Sequence, residues 1–205
     1  MTAVGFADCV AVITGGAAGI GRSLALELVA ETPAEQRAGM QIVLADMRLD
    51  PALQVAEQLK TLGAQATAIE CDITDEQQVI NLATDVREAF DKVNLLCNVA
   101  GVNVVAPLHE TSAQDVEWLF AVNVFGMCHM VRHFVPLLQL ASSAGEVAQV
   151  INVASGFGVA VPSMGPVQPS AYVGTKHAVV GMSDAMRKEL KPDGIAVSVV
   201  CPGLV

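Results

Sequence analysis

Cys9-Val10-Ala11-Val12-Ile13-Thr14-Gly15-Gly16-Ala17-Ala18-Gly19-Ile20-Gly21-Arg22 is the stretch on which the fold is decided. Cys9–Thr14 is a short apolar run that stops at glycines, the pattern of a central strand. A glycine-rich turn follows and leads into a helical pattern over Ser23–Ala30. Strand, glycine turn and helix in that order aim free backbone N–H groups and a positive dipole end at one point, which suits a phosphate. Gly15, Gly19 and Gly21, with Ile20 between the last two, let the backbone approach a pyrophosphate closely. The spacing is G-x-x-x-G-x-G and not the commoner G-x-G-x-x-G. A tight turn that only packs helix on strand is the competing reading.

Working outward, Gln41–Asp46 reads as a second strand with Asp46 at its carboxyl end. In a dinucleotide-binding βαβ unit an acid there hydrogen-bonds the adenosine ribose and repels a 2′-phosphate, which favours NAD over NADP. Arg48 is a counter-signal, since an arginine nearby could accept that phosphate. The intervening Glu31–Met40 is polar, holds Pro33 and Gly39, and reads as a surface loop. Leu53–Leu62 is amphipathic, with Gly63 as its C-cap. Ala64–Cys71 is a third strand ending at Asp72-Ile73. Thr74 with Gln77 forms a capping-box pattern for a helix over Asp75–Phe90. Val93–Val99 is a fourth strand, followed at once by Ala100-Gly101. An apolar-periodic stretch runs from about Ala113 to Leu140 and is interrupted at Val122–Gly126. Asn123 there must satisfy its amide, either as a buried hydrogen-bonder or by holding a water. Gln149–Val153 is a fifth strand with Ser155 just beyond its end. Ser170 caps a helix reaching about Lys188, and Ala196–Val200 is a sixth strand ending in Cys201-Pro202-Gly203. This alternation predicts a single α/β domain over residues 1–205, a doubly wound parallel sheet with ligands at the carboxyl ends of its strands.

Composition narrows the classes. With 205 residues the chain can bury a substantial core, and an aromatic fraction of 4% means that core is built from Val, Leu, Ile and Ala. A net charge of −10 argues against a nucleic-acid surface. The five cysteines are scattered, odd in number and free of C-x-x-C spacing, as expected for reduced thiols in a cytoplasmic protein. His129 and His133 stand four apart without an evident third ligand, so no metal is expected. Neither a signal peptide nor a run of about 18 apolar residues is visible, which predicts a soluble protein.

Tyr172 is the only tyrosine. In a helix, Lys176 lies one turn further along the same face. A free phenol titrates near ~10, and an adjacent cation favours the phenolate and makes it a usable acid–base. Alone, Tyr-x-x-x-Lys is common on ordinary surface helices.

Taken together, these residues resemble the short-chain dehydrogenase/reductase family over essentially the whole chain. The family's T-G-x-x-x-G-I-G matches Thr14–Gly21, its acidic selector falls on Asp46, and its adenine-contacting pair falls on Asp72-Ile73. Its N-N-A-G matches Asn98-Val99-Ala100-Gly101, with Val99 in place of the second Asn. Its catalytic tetrad matches Asn123, Ser155, Tyr172 and Lys176, and its last Pro-Gly matches Pro202-Gly203. The resemblance implies a Rossmann fold with strand order 3-2-1-4-5-6 and hydride transfer between NAD(H) and a secondary alcohol or ketone. Tyr172 would be the acid–base, Lys176 would lower its pKa and bind the nicotinamide ribose, Ser155 would orient the substrate oxygen, and Asn123 would hold a relay water. It also implies a homodimer or homotetramer through the helices carrying Asn123 and Tyr172. Met127, Met130, Val131, Phe134, Val179 and Met182 suit an apolar interface, or equally burial against the sheet. Phe157, Val159, Val161 and Met164 hint at an apolar substrate pocket.

Two departures stand out. Ser155 and Tyr172 are a few residues further apart than is usual, the extra length falling in Ser163–Pro169, with Pro162, Gly165 and Pro166 beside or within it. The sequence also stops after Pro202-Gly203, where family members carry a substrate-covering loop, more helix and a seventh strand. That predicts a fragment with the sixth strand as an apolar edge. A non-catalytic NAD-binding sensor or scaffold is the main rival function. A sugar-nucleotide epimerase fits the glycine turn less well, and a methyltransferase has no use for Tyr172 and Lys176.

Overall fold

The computed structural model describes residues 7–161 and 168–203, so most of the proline-rich insertion, including Met164, lies outside the described residues. Six strands form one sheet: β1 Val10–Thr14, β2 Gln41–Asp46, β3 Gln65–Glu70, β4 Leu95–Asn98, β5 Gln149–Val153 and β6 Ala196–Val200. All neighbours are parallel, as the alternation of elements predicts, and the order is β3-β2-β1-β4-β5-β6, as the family resemblance implies. The chain winds outward from β1 to β3 and returns to β4. The carboxyl ends of β1 and β4 therefore form the switch point at which this fold opens a crevice.

Alternation along β1 divides the core. Ala11 and Ile13 face helices α1 (Gly19–Ala30) and α2 (Leu49–Thr61), packing with Ala25, Val29, Val55 and Leu59. Val10 and Val12 face the other way, toward α3 (Glu76–Phe90) and α5 (Met127–Ser143), with Val79, Leu82, Met130, Phe134 and Leu138. Every residue of β1 is buried, which explains the unbroken apolar run at Cys9–Ile13. Helix α6 (Ser170–Glu189) lies on this second face beside β5 and β6. Among the described residues β6 is a sheet edge, with Val200 45% exposed.

The long apolar stretch is continuous. Helix α4 (Ala113–Phe120) passes through a π-helical segment, Ala121–Gly126, into α5. By length and hydropathy the whole run, Ala113–Ser143, could cross a membrane, yet half of its most apolar part is buried within this fold. The interruption expected at Val122–Gly126 is thus a widened turn rather than a break, and such turns often mark functional sites.

Several local expectations are corrected. Helix α1 starts at Gly19 rather than Ser23, so the glycines form its first turn, and α2 starts at Leu49 rather than Leu53. The cap of α3 is Asp75, which accepts from the N–H groups of Gln77 and Gln78 and from the Gln78 amide. Thr74 is diverted because its hydroxyl and N–H both bond the Asp72 carboxylate. Ser170 is the first residue of α6 and Pro169 occupies the capping position. The loop Glu31–Met40 contains a 3₁₀ turn, Ala34–Gly39, that carries Arg37. Its guanidinium bonds the carbonyls of Ala30, Thr32 and Leu62, closing the carboxyl ends of α1 and α2 together.

Candidate active site

The glycine turn is held from two sides. Gly15 N–H donates to the Ala45 carbonyl at 2.8 Å, and the Thr14 hydroxyl accepts from the N–H groups of Val99 and Ala100 at 2.9 and 3.1 Å. Gly15 has φ +67°, and a Cβ there would come within 2.9 Å of the Ala100 backbone, so glycine is required. Gly19 has φ +51° and nothing within 4 Å of a would-be Cβ. The space above it is open. Ala18, the N-cap of α1, makes no side-chain cap bond, which leaves the first N–H groups of the helix facing that space without a side-chain partner.

A cleft of about 570 Å³ opens along this edge. It is lined by Gly15, Gly19, Ile20 and Gly21 from the turn, Asp46 after β2, Asp72 and Ile73 after β3, and Ala100 and Gly101 after β4. The sequence did not single out Met47, Cys71, Val102, Trp118 or Val122 as site residues, yet they line it too. Trp118 is the sole tryptophan and stands one helical turn before Val122, a spacing that could have placed both on one face.

Asp46 is 9% exposed, and its carboxylate accepts from the N–H groups of Ala17 and Arg48, each at 3.0 Å. The Arg48 guanidinium lies 3.6 Å away and is itself well exposed. Asp46 therefore fastens the glycine turn as well as facing the cleft. Asn98 does not line it. Its amide donates to Asn152 at 2.8 Å, Asn152 donates to Ser183 in α6, and Asn98 Oδ1 has no hydrogen-bond partner among the described residues.

At the other end of the edge, Lys176 Nζ lies 5.7 Å from the centre of the Tyr172 ring and donates to the Val153 carbonyl at 3.0 Å. The four-residue spacing does bring ammonium and phenol together. Lys176 is 4% exposed, and burial lowers its pKa from 10.5 to about 8, opposed only by the nearby Cys201. The Asn123 amide donates to the Val102 carbonyl and the Thr175 hydroxyl, and its oxygen accepts from Val102 N–H at 2.8 Å. A Cβ on Gly101 would sit 3.3 Å from that oxygen and 3.4 Å from Lys176 Nζ, so glycine keeps the space between them clear. Ser155 Oγ accepts from Phe157 N–H at 3.2 Å, and Phe157 stacks edge-to-face on Tyr172. Pro202 closes the far side through its carbonyl, which accepts from Gly156 N–H at 2.6 Å, with Gly203 beside it. Tyr172, Lys176, Pro202 and Gly203 thus lie beyond the cleft lining, and Lys176 approaches it at Gly101.

The family model described as short chain dehydrogenase matches residues 9–205. The chain belongs to the short-chain dehydrogenase family. A 1-deoxy-11-beta-hydroxypentalenate dehydrogenase of Streptomyces exfoliatus is 35% identical over 199 residues, which cover 95% of this chain and 66% of that protein. A short-chain dehydrogenase structure from Novosphingobium aromaticivorans superposes with TM-score 0.85 at 33% identity, covering 98% of this chain and 70% of that one. One from Burkholderia phymatum, in complex with NAD, gives TM-score 0.82 at 36% identity, covering 96% and 66%. A metagenomic short-chain oxidoreductase in complex with NADP gives TM-score 0.83 at 27% identity. The chain spans about two thirds of the length of the first three of these proteins and 84% of the last.

Other polar and sulfur groups have structural explanations within the family fold. Burial pushes the Cys9 and Cys97 thiols up to about 12 and Cys71 to about 11, which makes them poor nucleophiles. His129 bonds the Ile73 carbonyl and His133 bonds Glu76, so both clip α5 to the start of α3. Among the described residues no three His, Cys, Asp or Glu side chains gather as a metal site.

Proposed function

We propose that the protein transfers a hydride between NAD(H) and an apolar secondary alcohol or its ketone. The observation that carries this reading is the buried ammonium of Lys176 beside the phenol of Tyr172, next to Gly101 at the end of the cleft. The residues present fit a dinucleotide. The uncapped start of α1 with Gly15, Gly19, Ile20 and Gly21 suits a pyrophosphate, Asp46 a ribose diol, and Asp72-Ile73 an adenine. The fixed charge of Asp46 disfavours a 2′-phosphate, which supports NAD over NADP. Ala100 and Gly101 border the nicotinamide end. The cofactor, when bound, supplies the hydride acceptor or donor.

The remaining work falls to the chain. Tyr172 takes the hydroxyl proton of the alcohol, or returns it in the reverse direction. Lys176, mostly protonated at neutral pH, stabilises the phenolate by its charge and meets the nicotinamide ribose. Ser155 Oγ, already accepting from Phe157 N–H, keeps its own proton to donate to the substrate oxygen. Both amide hydrogens of Asn123 are engaged, so a relay water beside Lys176 would bond the free lone pair of its oxygen. Asn98 contributes through the sheet, not by touching the cofactor.

Homo-oligomer formation through α4–α6 is part of this proposal, with one correction. Met127, Met130, Phe134 and Val179 are at most 4% exposed, so they pack within the chain. Phe125 at 55% and Met182 at 36% remain available for an interface.

Replacing Tyr172 by Phe tests the mechanism. Turnover of a secondary alcohol should fall by about 10²–10⁴-fold, the usual worth of general acid–base catalysis. NADH should still quench Trp118 emission with unchanged affinity, because Trp118 lines the cleft and Tyr172 does not. Undiminished turnover would remove Tyr172 from the chemistry.

A further inference from the structure

The mechanism above leaves the ring of Phe157 unused. Its centroid lies 6.3 Å from that of Tyr172 with the planes at 80°, an attractive edge-to-face pair. Phe157 is half-buried, so it is not wholly covered by the chain.

Its position is fixed by the backbone. Phe157 is the middle residue of the turn Gly156–Gly158, and each of the three is tied down. Gly156 N–H donates to Pro202, while Phe157 N–H donates to Ser155 Oγ and Gly158 N–H to the Ser155 carbonyl. Gly158 packs so tightly on α6 that a Cβ there would come within 2.8 Å of the Lys176 carbonyl. The aromatic ring therefore holds its place relative to Ser155, Tyr172 and Lys176 together.

The two segments that follow β4 and β5 at this edge of the sheet are apolar or uncharged. Neither Val99–Leu108 nor Ala154–Val161 carries an ionisable side chain. Instead Val105, Val159 and Val161 are 68%, 62% and 55% exposed. A carboxylate or phosphate brought against such segments would lose hydration without gaining a partner.

We infer that Phe157 is a specificity-determining residue that selects uncharged substrates bearing an aryl or alicyclic ring on the carbinol carbon. The inference rests on the proposed hydride transfer. A rigid wall perpendicular to the acid–base phenol gives a flat substituent a face to pack on while the carbinol oxygen meets Ser155 and Tyr172. A short alkyl chain gains little from it, and an anionic substituent is penalised.

The test compares kcat/KM with NAD for 1-phenylethanol, 2-butanol and 3-hydroxybutyrate in the parent protein, Phe157→Leu and Phe157→Ala. The parent should prefer 1-phenylethanol over 2-butanol by about 10-fold or more and use 3-hydroxybutyrate least. Phe157→Ala should reduce the aryl-to-alkyl ratio by about 10-fold while 2-butanol changes little, with Phe157→Leu between. Saturation-transfer NMR of acetophenone on the NAD complex, which cannot reduce it, should weaken in the same order. Both variants should keep the parent's melting temperature within a few degrees, since Phe157 is only half-buried. An unmoved ratio with 2-butanol still oxidised overturns the inference alone. An equal loss for all three substrates also overturns it, because Phe157 would then only hold Ser155 in place. A parent that oxidises none of them, while NADH still quenches Trp118, overturns the proposed function and this inference with it.

Discussion

Two charges are buried at the carboxyl edge of the same sheet, and they are treated differently. Asp46 receives two backbone N–H donors and has Arg48 close by. Lys176 has one carbonyl and an aromatic face, and no carboxylate pairs with it among the described residues. The first arrangement surrounds a carboxylate with donors. The second leaves a positive charge poorly supported, so that the group titrates near neutrality, with its pKa brought down to about 8. In the proposed mechanism the first would hold a ligand and the second would help to move a proton. A buried lysine of this kind costs stability, because the interior disfavours its charged form.

Lys176→Met tests the contrast where the expected effect is largest. Turnover should fall by about 10²-fold or more, because the phenolate loses its stabilising charge. The same change should alter how stability depends on pH. Between pH 8 and 10.5 the unfolded chain keeps a proton on Lys176 that the folded chain has released, so this group makes stability rise with pH across that window. The cost relieved is about 3 kcal/mol at full deprotonation. The raised pKa values of Cys9, Cys71 and Cys97 act oppositely above their ordinary value of 9.0, so the quantity to measure is parent minus variant. Urea unfolding at pH 7 and pH 10 should show the parent gaining on the variant by a few kcal/mol. Parallel curves would mean that Lys176 is not held near 8.

Asp46→Asn tests the other end with a smaller effect. The variant keeps the shape, loses the charge and turns an amide hydrogen toward a backbone donor. One N–H then lacks its acceptor, which costs about 1–3 kcal/mol. Removing the charge should raise the NADP-to-NAD ratio of affinities by about 10-fold, read by Trp118 quenching with NADPH and NADH. A parent that already binds NADPH as tightly as NADH would contradict the proposed role of Asp46.

Both ends were legible in the sequence, though not the contacts that hold them. The order of elements and the sheet follow from apolar runs punctuated by glycines, and strand limits fall within about two residues of expectation. Asp46 could be found because position after a strand is enough to nominate it. Tyr172 and Lys176 could be paired because helical spacing is local. What the sequence hid depends on contacts between distant elements. Helical periodicity marks Met130 and Phe134 as apolar but does not say whether sheet or partner covers them. Arg37 gives no local sign that it will bond carbonyls from two helices adjacent only after folding. The cap at Asp75 was missed by one residue because Thr74 is an equally good capping type until Asp72 takes its hydroxyl. Asn98 matched a cofactor motif, yet its contacts run to β5 and α6.

Arg48→Ala gives the smallest expected effect and the sharpest check on how Asp46 is held. Its guanidinium is 61% exposed and 3.6 Å from the carboxylate, a geometry in which an ion pair contributes about 0–1 kcal/mol. The N–H that does bond Asp46 belongs to the backbone of residue 48 and survives the substitution. NADH affinity should therefore change by less than about twofold and stability by about 0.5 kcal/mol or less. NADPH affinity should fall more than NADH affinity if the parent's Arg48 guanidinium meets the 2′-phosphate. A tenfold loss of NADH binding would show that the arginine side chain, rather than the backbone, holds the carboxylate in place. The contrast with Lys176 would then be between two weakly supported charges instead of one strong and one weak.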